Sequence, residues 1–225
     1  MGDLNGKVVL ITGANGVLGS AVAAQAKNLG ARLVLFDLQT PANPKAEDQW
    51  VALDLTEEKA VSEAASEVGP VDVLFHIAGG FDMGPAVYEL SQDRFDGLFR
   101  MNVTTFQNVA RAFLPGMVER GSGSVVTIGA LGAVAGQANM GAYAASKSAL
   151  LRLTESLSAE VKRKGVNVNC VLPSIIDTPT NRNDMPDDDH STWVSPEDLA
   201  NVICFLGSAS ARAIHGAAIP VSGLV

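Results

Sequence analysis

Residues Lys7 to Gly19, KVVLITGANGVLG, constrain this chain more than any other stretch. Val8–Ile11 is a four-residue apolar run rich in β-branched side chains, as expected of a strand buried on both faces. Thr12 and Gly13 end it. Glycines then stand at Gly13, Gly16 and Gly19, and Ser20–Leu29 runs without Gly or Pro as a helix closed by Gly30. Strand, glycine turn and helix together form a phosphate cradle. The glycines let backbone approach a pyrophosphate, and the helix start offers free N–H groups and the positive end of its dipole. Without the flanking strand and helix, the same glycines would mark only a tight turn.

The second strand, Arg32–Phe36, ends at Asp37, 18 residues beyond Gly19. An acid at about this distance accepts hydrogen bonds from the hydroxyls of an adenosine ribose. It also repels a 2′-phosphate, and the residues after it are Leu38 and Gln39 rather than a cation. The pattern predicts NAD(H) in preference to NADP(H).

Further short runs follow at Trp50–Leu53, Val71–Ile77, Ser124–Ile128, Val166–Leu172 and Ala217–Val221. Helical segments separate most of them: Glu57–Val68 entered through Thr56, Ser91–Val118 entered through Ser91, Tyr143–Lys164, and Pro196–Leu206 capped by Ser195. Strands alternating with helices predict an α/β fold, a single-domain doubly wound parallel sheet of Rossmann-like type with helices on both faces. Loops at Gly13, Gly79, Gly129 and Pro173 all follow strands, so they gather at the carboxyl edge, where such sheets bind ligands. At 225 residues, 47% hydrophobic and 18% charged, the chain is long enough for one such domain, 1–225, and short for two.

A net charge of −8 argues against a nucleic-acid partner or an acidic membrane surface. Two cysteines, Cys170 and Cys204, lie in apolar runs with no metal or disulfide spacing. No leader-like or membrane-length apolar run is found, so a cytoplasmic location is expected. Asp184, Asp187, Asp188, Asp189 and His190 read as a solvated acidic loop, and no metal is expected there.

Tyr143 and Lys147 open the longest helix four residues apart and so share a face. A free Tyr is a poor acid or base at neutral pH, and a nearby ammonium stabilises its phenolate. The pair therefore predicts a proton-transfer centre, with Lys147 lowering the Tyr143 pKa and reaching a ribose.

Taken together these motifs resemble the short-chain dehydrogenase/reductase family. The similarity covers nearly the whole chain and rests on TGANGVLG, Asp54 after the third strand, the HIAGG of residues 76–80, Met101-Asn102-Val103, the YAASK of residues 143–147, and Pro173 to Thr178. The resemblance implies catalytic roles for Tyr143, Lys147 and Asn102, with Tyr143 as proton donor and Asn102 supporting Lys147 through a water. It implies a cofactor site of Gly13, Asn15, Gly16, Val17, Leu18, Gly19, Asp37, Asp54, Leu55, Ala78, Gly79, Gly80, Tyr143, Lys147, Pro173, Ile176 and Thr178. Asp54 would meet the adenine, and Thr178 would meet the nicotinamide carboxamide. The family also implies a small-molecule substrate and a homodimer or homotetramer, with one interface through the long helices and another through the C-terminal strand.

Three departures stand out. The second glycine, Gly16, falls one place earlier than in many members. His76 stands where Asn is usual and is expected to bond backbone at a strand end. The family's catalytic Ser lies 13 residues before the Tyr, and that position here is Ala130. Ile176 to Pro196 resembles the matching loop of dihydropteridine reductases, a branch that also has Ala there and reduces a conjugated ring. A dinucleotide sensor without catalysis is the reading from another class. Two segments, Phe81–Leu90 and Ile175–Ser195, are long enough to act as lids.

Overall fold

The computed structural model describes residues 3–225. Seven parallel strands form one sheet in the order β3-β2-β1-β4-β5-β6-β7. They are β1 (Val8–Thr12), β2 (Arg32–Asp37), β3 (Gln49–Ala52), β4 (Val73–His76), β5 (Gly123–Ile128), β6 (Val166–Pro173) and β7 (Ala218–Val221). The Rossmann-like α/β expectation is met.

The central strands are buried and largely apolar on both faces because helices cover both. In β1, Val9 and Ile11 face a cluster with Val22, Phe75, Leu199 and Ile203. Leu10, between them, faces the opposite cluster with Phe36, Leu74, Met117 and Leu150. Helices α1 (Val17–Asn28) and α7 (Pro196–Gly207) supply the first layer. Helices α2 (Glu58–Val68), α4 (Thr105–Arg120) and α5 (Gly141–Val161) supply the second. The alternation is the two-residue period of a strand read against two cores.

Several boundaries differ from the sequence reading. Helix α1 starts at Val17, because Gly16 in extended conformation takes the cap position and Val17 to Gly19 form the first turn. Thr56 does not cap α2; its hydroxyl is bound to Asp54, and Glu57 takes the cap position with no side-chain bond. The stretch expected as one helix from Ser91 to Val118 is three pieces. Ser91 does cap α3 (Gln92–Phe99), then a π turn covers Arg100–Thr104, and α4 continues to Arg120. A π turn inserts one residue and so rotates α4 relative to α3. Helix α5 begins two residues before Tyr143, and the expected loop after β6 contains a short helix, α6 (Pro179–Asp184).

The strand order reverses between β1 and β4, so the loops that come after them lie side by side. Their contact is tight. A Cβ on Gly13 would stand 2.9 Å from both the amide nitrogen and the Cα of Ala78. This junction and the carboxyl ends of β2, β5 and β6 frame the main cleft. Among the described residues no helix is long and apolar enough to cross a membrane.

Candidate active site

At the first loop, Gly13 has a φ of +66°, open to glycine and costly for other residues. Gly19 is required by space instead. A Cβ there would overlap the Gly13 carbonyl oxygen and stand 2.8 Å from the Ala14 Cα. The α1 cap residue Gly16 brings no side chain, and the first turn holds no acidic group. The leading N–H groups of α1 thus face the cleft with no carboxylate of their own, as a pyrophosphate requires. This cradle, which a methyl on Gly13 or Gly19 would not tolerate, is the structural fit for a dinucleotide.

Asp37 ends β2 beside that cradle. Its carboxylate accepts from the backbone N–H of Asn15 at 2.9 Å and of Leu38 at 2.8 Å, which holds it in place beside the glycine loop. Asp54 accepts from the N–H and hydroxyl of Thr56 through one oxygen, both at 2.8 Å. Asn108 donates to the carbonyls of Leu55 and Thr56, tying this loop to α4.

Beyond Ala78 the chain passes close to the catalytic candidates. A Cβ on Gly79 would lie 2.7 Å from Asn102 Oδ1 and 3.2 Å from Lys147 Nζ, so only glycine fits. Asn102 is fully buried in the π turn and clasps Gly80. It accepts from the Gly80 N–H at 2.9 Å and donates to the Gly80 carbonyl at 3.0 Å and to Ser146 Oγ at 3.1 Å. Its side chain therefore ties the loop after β4 to the π turn and to the start of α5.

Lys147 is 6% exposed and donates to the Ile128 carbonyl at 2.9 Å. Burial lowers its pKa to about 8. Burial pushes the Tyr143 phenol the other way, up to about 12. In this state burial alone moves the Tyr143 phenol, and the Lys147 ammonium is engaged with the Ile128 carbonyl. The Tyr143 hydroxyl makes no hydrogen bond among the described residues, and Tyr143 lines the cleft.

His76 does not bond backbone as expected. Its Nδ1 lies 3.0 Å from Thr12 Oγ1 and its Nε2 3.4 Å from Thr105 Oγ1. The Thr105 hydroxyl donates to the Met101 carbonyl at 2.8 Å, so it accepts from Nε2–H. Nδ1 then accepts from the Thr12 hydroxyl, which in turn accepts from the Ala78 N–H at 3.2 Å. This one-way chain fixes the neutral tautomer and links both cofactor loops to the π turn. Burial, helped by the Lys147 charge, pushes the His76 pKa down to about 3. Sequence reasoning missed the chain; the only signal was Thr105 one turn after Met101.

Ala130 is 8% exposed on the cleft wall. Neighbouring hydroxyls do not replace the missing Ser. Ser148 donates to the Ala133 carbonyl and Ser174 to the Ser222 carbonyl, both at 2.8 Å. Thr178 caps α6 by accepting from the Asn181 N–H at 3.1 Å, which leaves its own hydroxyl proton free to donate. Both lid segments are pinned. Arg94 pairs with Asp82 and donates to the Met83 carbonyl, and Gly84 N–H donates to the Asn139 carbonyl. In the second segment, Ile176 bridges Val194 and Arg182 pairs with Asp177.

All these elements open onto one cleft of about 1900 Å³. It exceeds the size of a single drug-like pocket and has room for a dinucleotide and a substrate together. Every residue of the sequence-read cofactor set lines it, from Gly13 to Thr178; Asn102 stands behind its wall. Phe81, Met83, Leu131, Met140, Asn181 and Asp184, which were not in that set, line it too.

A doubly wound sheet with a glycine cradle at its switch point and a Tyr–Lys pair in the same cleft defines the class of nicotinamide-dinucleotide oxidoreductases. The profile of the short chain dehydrogenase family matches residues 7–189. Dehydrogenase/reductase SDR family member 6 of Rattus norvegicus is 31% identical over 80% of this chain and 75% of its own. The cis-4-hydroxycyclohexanecarboxylate dehydrogenase of Sinomonas cyclohexanicum is 29% identical over 96% of this chain and 95% of its own. Among solved structures, one from Beutenbergia cavernae, assigned as an NAD(P)-dependent gluconate 5-dehydrogenase, superposes with a TM-score of 0.90. It shares 28% identity, covering 98% of this chain and 97% of that one, and carries NADP at low occupancy. The chain belongs to the short-chain dehydrogenase family and is an NAD(P)-dependent oxidoreductase.

Proposed function

We propose that this enzyme reduces a small organic substrate, prefers NADH, and uses Tyr143 as its proton donor. The cofactor supplies a hydride from its nicotinamide ring. The chain's own residues supply the proton and the geometry. The carrying observation is Tyr143, whose unpartnered hydroxyl lines the cleft beside Ala130 and whose pKa of about 12 keeps it protonated at neutral pH. A protonated phenol suits the reductive direction, where it gives its proton to the anion developing on the substrate. Lys147 holds the floor of the site against Ile128, and Thr178 offers a donor to the carboxamide. Preference for NADH is supported by Asp37, an acid at the end of β2 that would repel a 2′-phosphate, with Leu38 and Gln39 beyond it. The NADP in the relative from Beutenbergia cavernae belongs to that protein and runs against this reading for a common fold, so the preference rests on the acid. By the same family resemblance the enzyme works as a homodimer or homotetramer.

The test is NADH and NADPH oxidation beside Tyr143→Phe. We expect NADH to bind more tightly than NADPH, and the mutant to keep its NADH affinity while losing about 10²–10⁴ in kcat. A mutant with unchanged kcat would exclude Tyr143 as the donor. An enzyme that binds NADH and turns over no acceptor would be a dinucleotide sensor.

One observation favours a second reading. With Ala130 at the wall, Tyr143 is left without the usual hydroxyl partner, and an acceptor that takes hydride on a conjugated ring needs none. Quinonoid dihydropterin is the acceptor to try first. Ala130→Ser should raise carbonyl reduction by on the order of 10²-fold if a carbonyl is the true substrate, and leave ring reduction unchanged if it is not.

A further inference from the structure

The substrate end of the cleft is unusually rich in soft apolar groups. The chain contains six methionines, and Met83, Met101, Met140 and Met185 all line this cleft. Phe81 joins them, with its ring edge-on to Tyr143 at 4.8 Å between centroids. Phe81 is 58% exposed, Met83 57% and Met101 45%. Large apolar side chains left in water around a cavity mark a binding surface. Thioethers are polarisable, adapt to the shape of a ligand and make favourable contacts with aromatic rings.

The charges at this end are arranged against an anion. Arg94 of α3, which pins the first segment, and Arg182 of the second are each occupied by both oxygens of a carboxylate, Asp82 and Asp177. Lys147 is held on the Ile128 carbonyl. Arg100 is the remaining cation on the cleft wall and is exposed, where water and salt screen it. Asp184 lines the same cleft, is likewise exposed, and takes part in no ion pair among the described residues, so it offsets Arg100.

We infer that the substrate is a flat, apolar ring compound, neutral or cationic, seated against Phe81 and the methionines, and that carboxylates and phosphates are rejected. The inference rests on reading this cleft as the site for a dinucleotide and a substrate. A carboxylate entering it would give up its hydration to Phe81, Ala130 and thioether groups, and would find only the exposed, solvent-screened Arg100 to set against Asp184. A ring buries apolar area there at no such cost. The specificity would differ from that of the Sinomonas relative, whose name gives it a hydroxy acid.

Three ketones of one shape test this on the full chain with NADH present: 4-methylacetophenone, 4-acetylbenzoate and 4-(aminomethyl)acetophenone. Binding is read by calorimetry and turnover by NADH absorbance. The neutral and cationic ketones should bind, and the acid at least about tenfold more weakly. Phe81→Ala should weaken the neutral ketone without changing NADH affinity. Asp184→Asn and Asp184→Lys should narrow the gap to the acid, in that order. An acid that binds as well as the neutral ketone overturns the inference, as does failure of all three to bind while NADH binds. Loss of NADH binding would instead sink the cofactor reading, and calorimetry on the free protein would still decide between the three charges.

Discussion

At the residue scale, the site is a set of buried polar groups whose ordinary ionisation is displaced. Lys147 has its pKa lowered by burial from 10.5 to about 8. A group with a depressed folded-state pKa contributes stability above its unfolded pKa and loses it as pH falls to the folded one. The cost of burying the ammonium therefore sets in below pH 10.5 and is complete below about 8, on the order of 3 kcal/mol. Lys147→Met should accordingly gain stability relative to the native enzyme as pH drops from 10.5 to 7, although it removes activity. Urea melts at the two pH values check this, and an unchanged difference would show that the lysine is not held against a desolvation penalty. His76, with its pKa moved from 6.5 down to about 3, acts in the same sense. It supports the fold fully above pH 6.5, and that support is lost on acidification toward pH 3. The expectation that Lys147 lowers the Tyr143 pKa came from spacing on a helix. Spacing shows that two side chains share a face but not how dry that face is, and here dryness dominates.

At the scale of elements, three devices position the chemistry: the glycine cradle at the start of α1, the π turn between α3 and α4, and the start of α5. The cradle is the most sensitive to a single atom. In Gly19→Ala the new methyl would overlap the Gly13 carbonyl oxygen and meet the Ala14 Cα at 2.8 Å, so the turn must open. Overpacking of this kind costs about 1–3 kcal/mol, and NADH affinity should fall at least tenfold because the phosphate N–H groups move with the turn. Denaturant melts and NADH titration measure the two effects separately. Glycine spacing between an apolar strand run and a helical run made the cradle legible. The π turn was not legible, since nothing in RMNVT distinguishes five π residues from α-helix. It forms because the buried Asn102 side chain meets Gly80 and Ser146, groups 22 and 44 residues away in the chain.

At the scale of the molecule, the parallel sheet gathers strand ends from across the sequence onto one edge. The homo-oligomer we propose would leave that edge open if it forms through α4 and α5, where Leu153 is an apolar side chain 41% exposed. Light scattering should then give a mass at least twice the 23.3 kDa of the chain, and Leu153→Glu should lower it without altering the NADH affinity. A monomeric native enzyme would end that proposal.

The sequence by itself determined the fold class, the seven strands, the phosphate cradle, the acid after β2 and the Tyr–Lys pair. Each of these is written in short-range periodicity or in glycines whose backbone role is local. Tertiary structure alone decided the His76 chain, the clasp of Asn102 on Gly80, the pinning of both lid segments and the company Ala130 keeps. Those depend on which distant groups meet in the dry interior, where an unpaired polar atom is costly and every donor must find a partner.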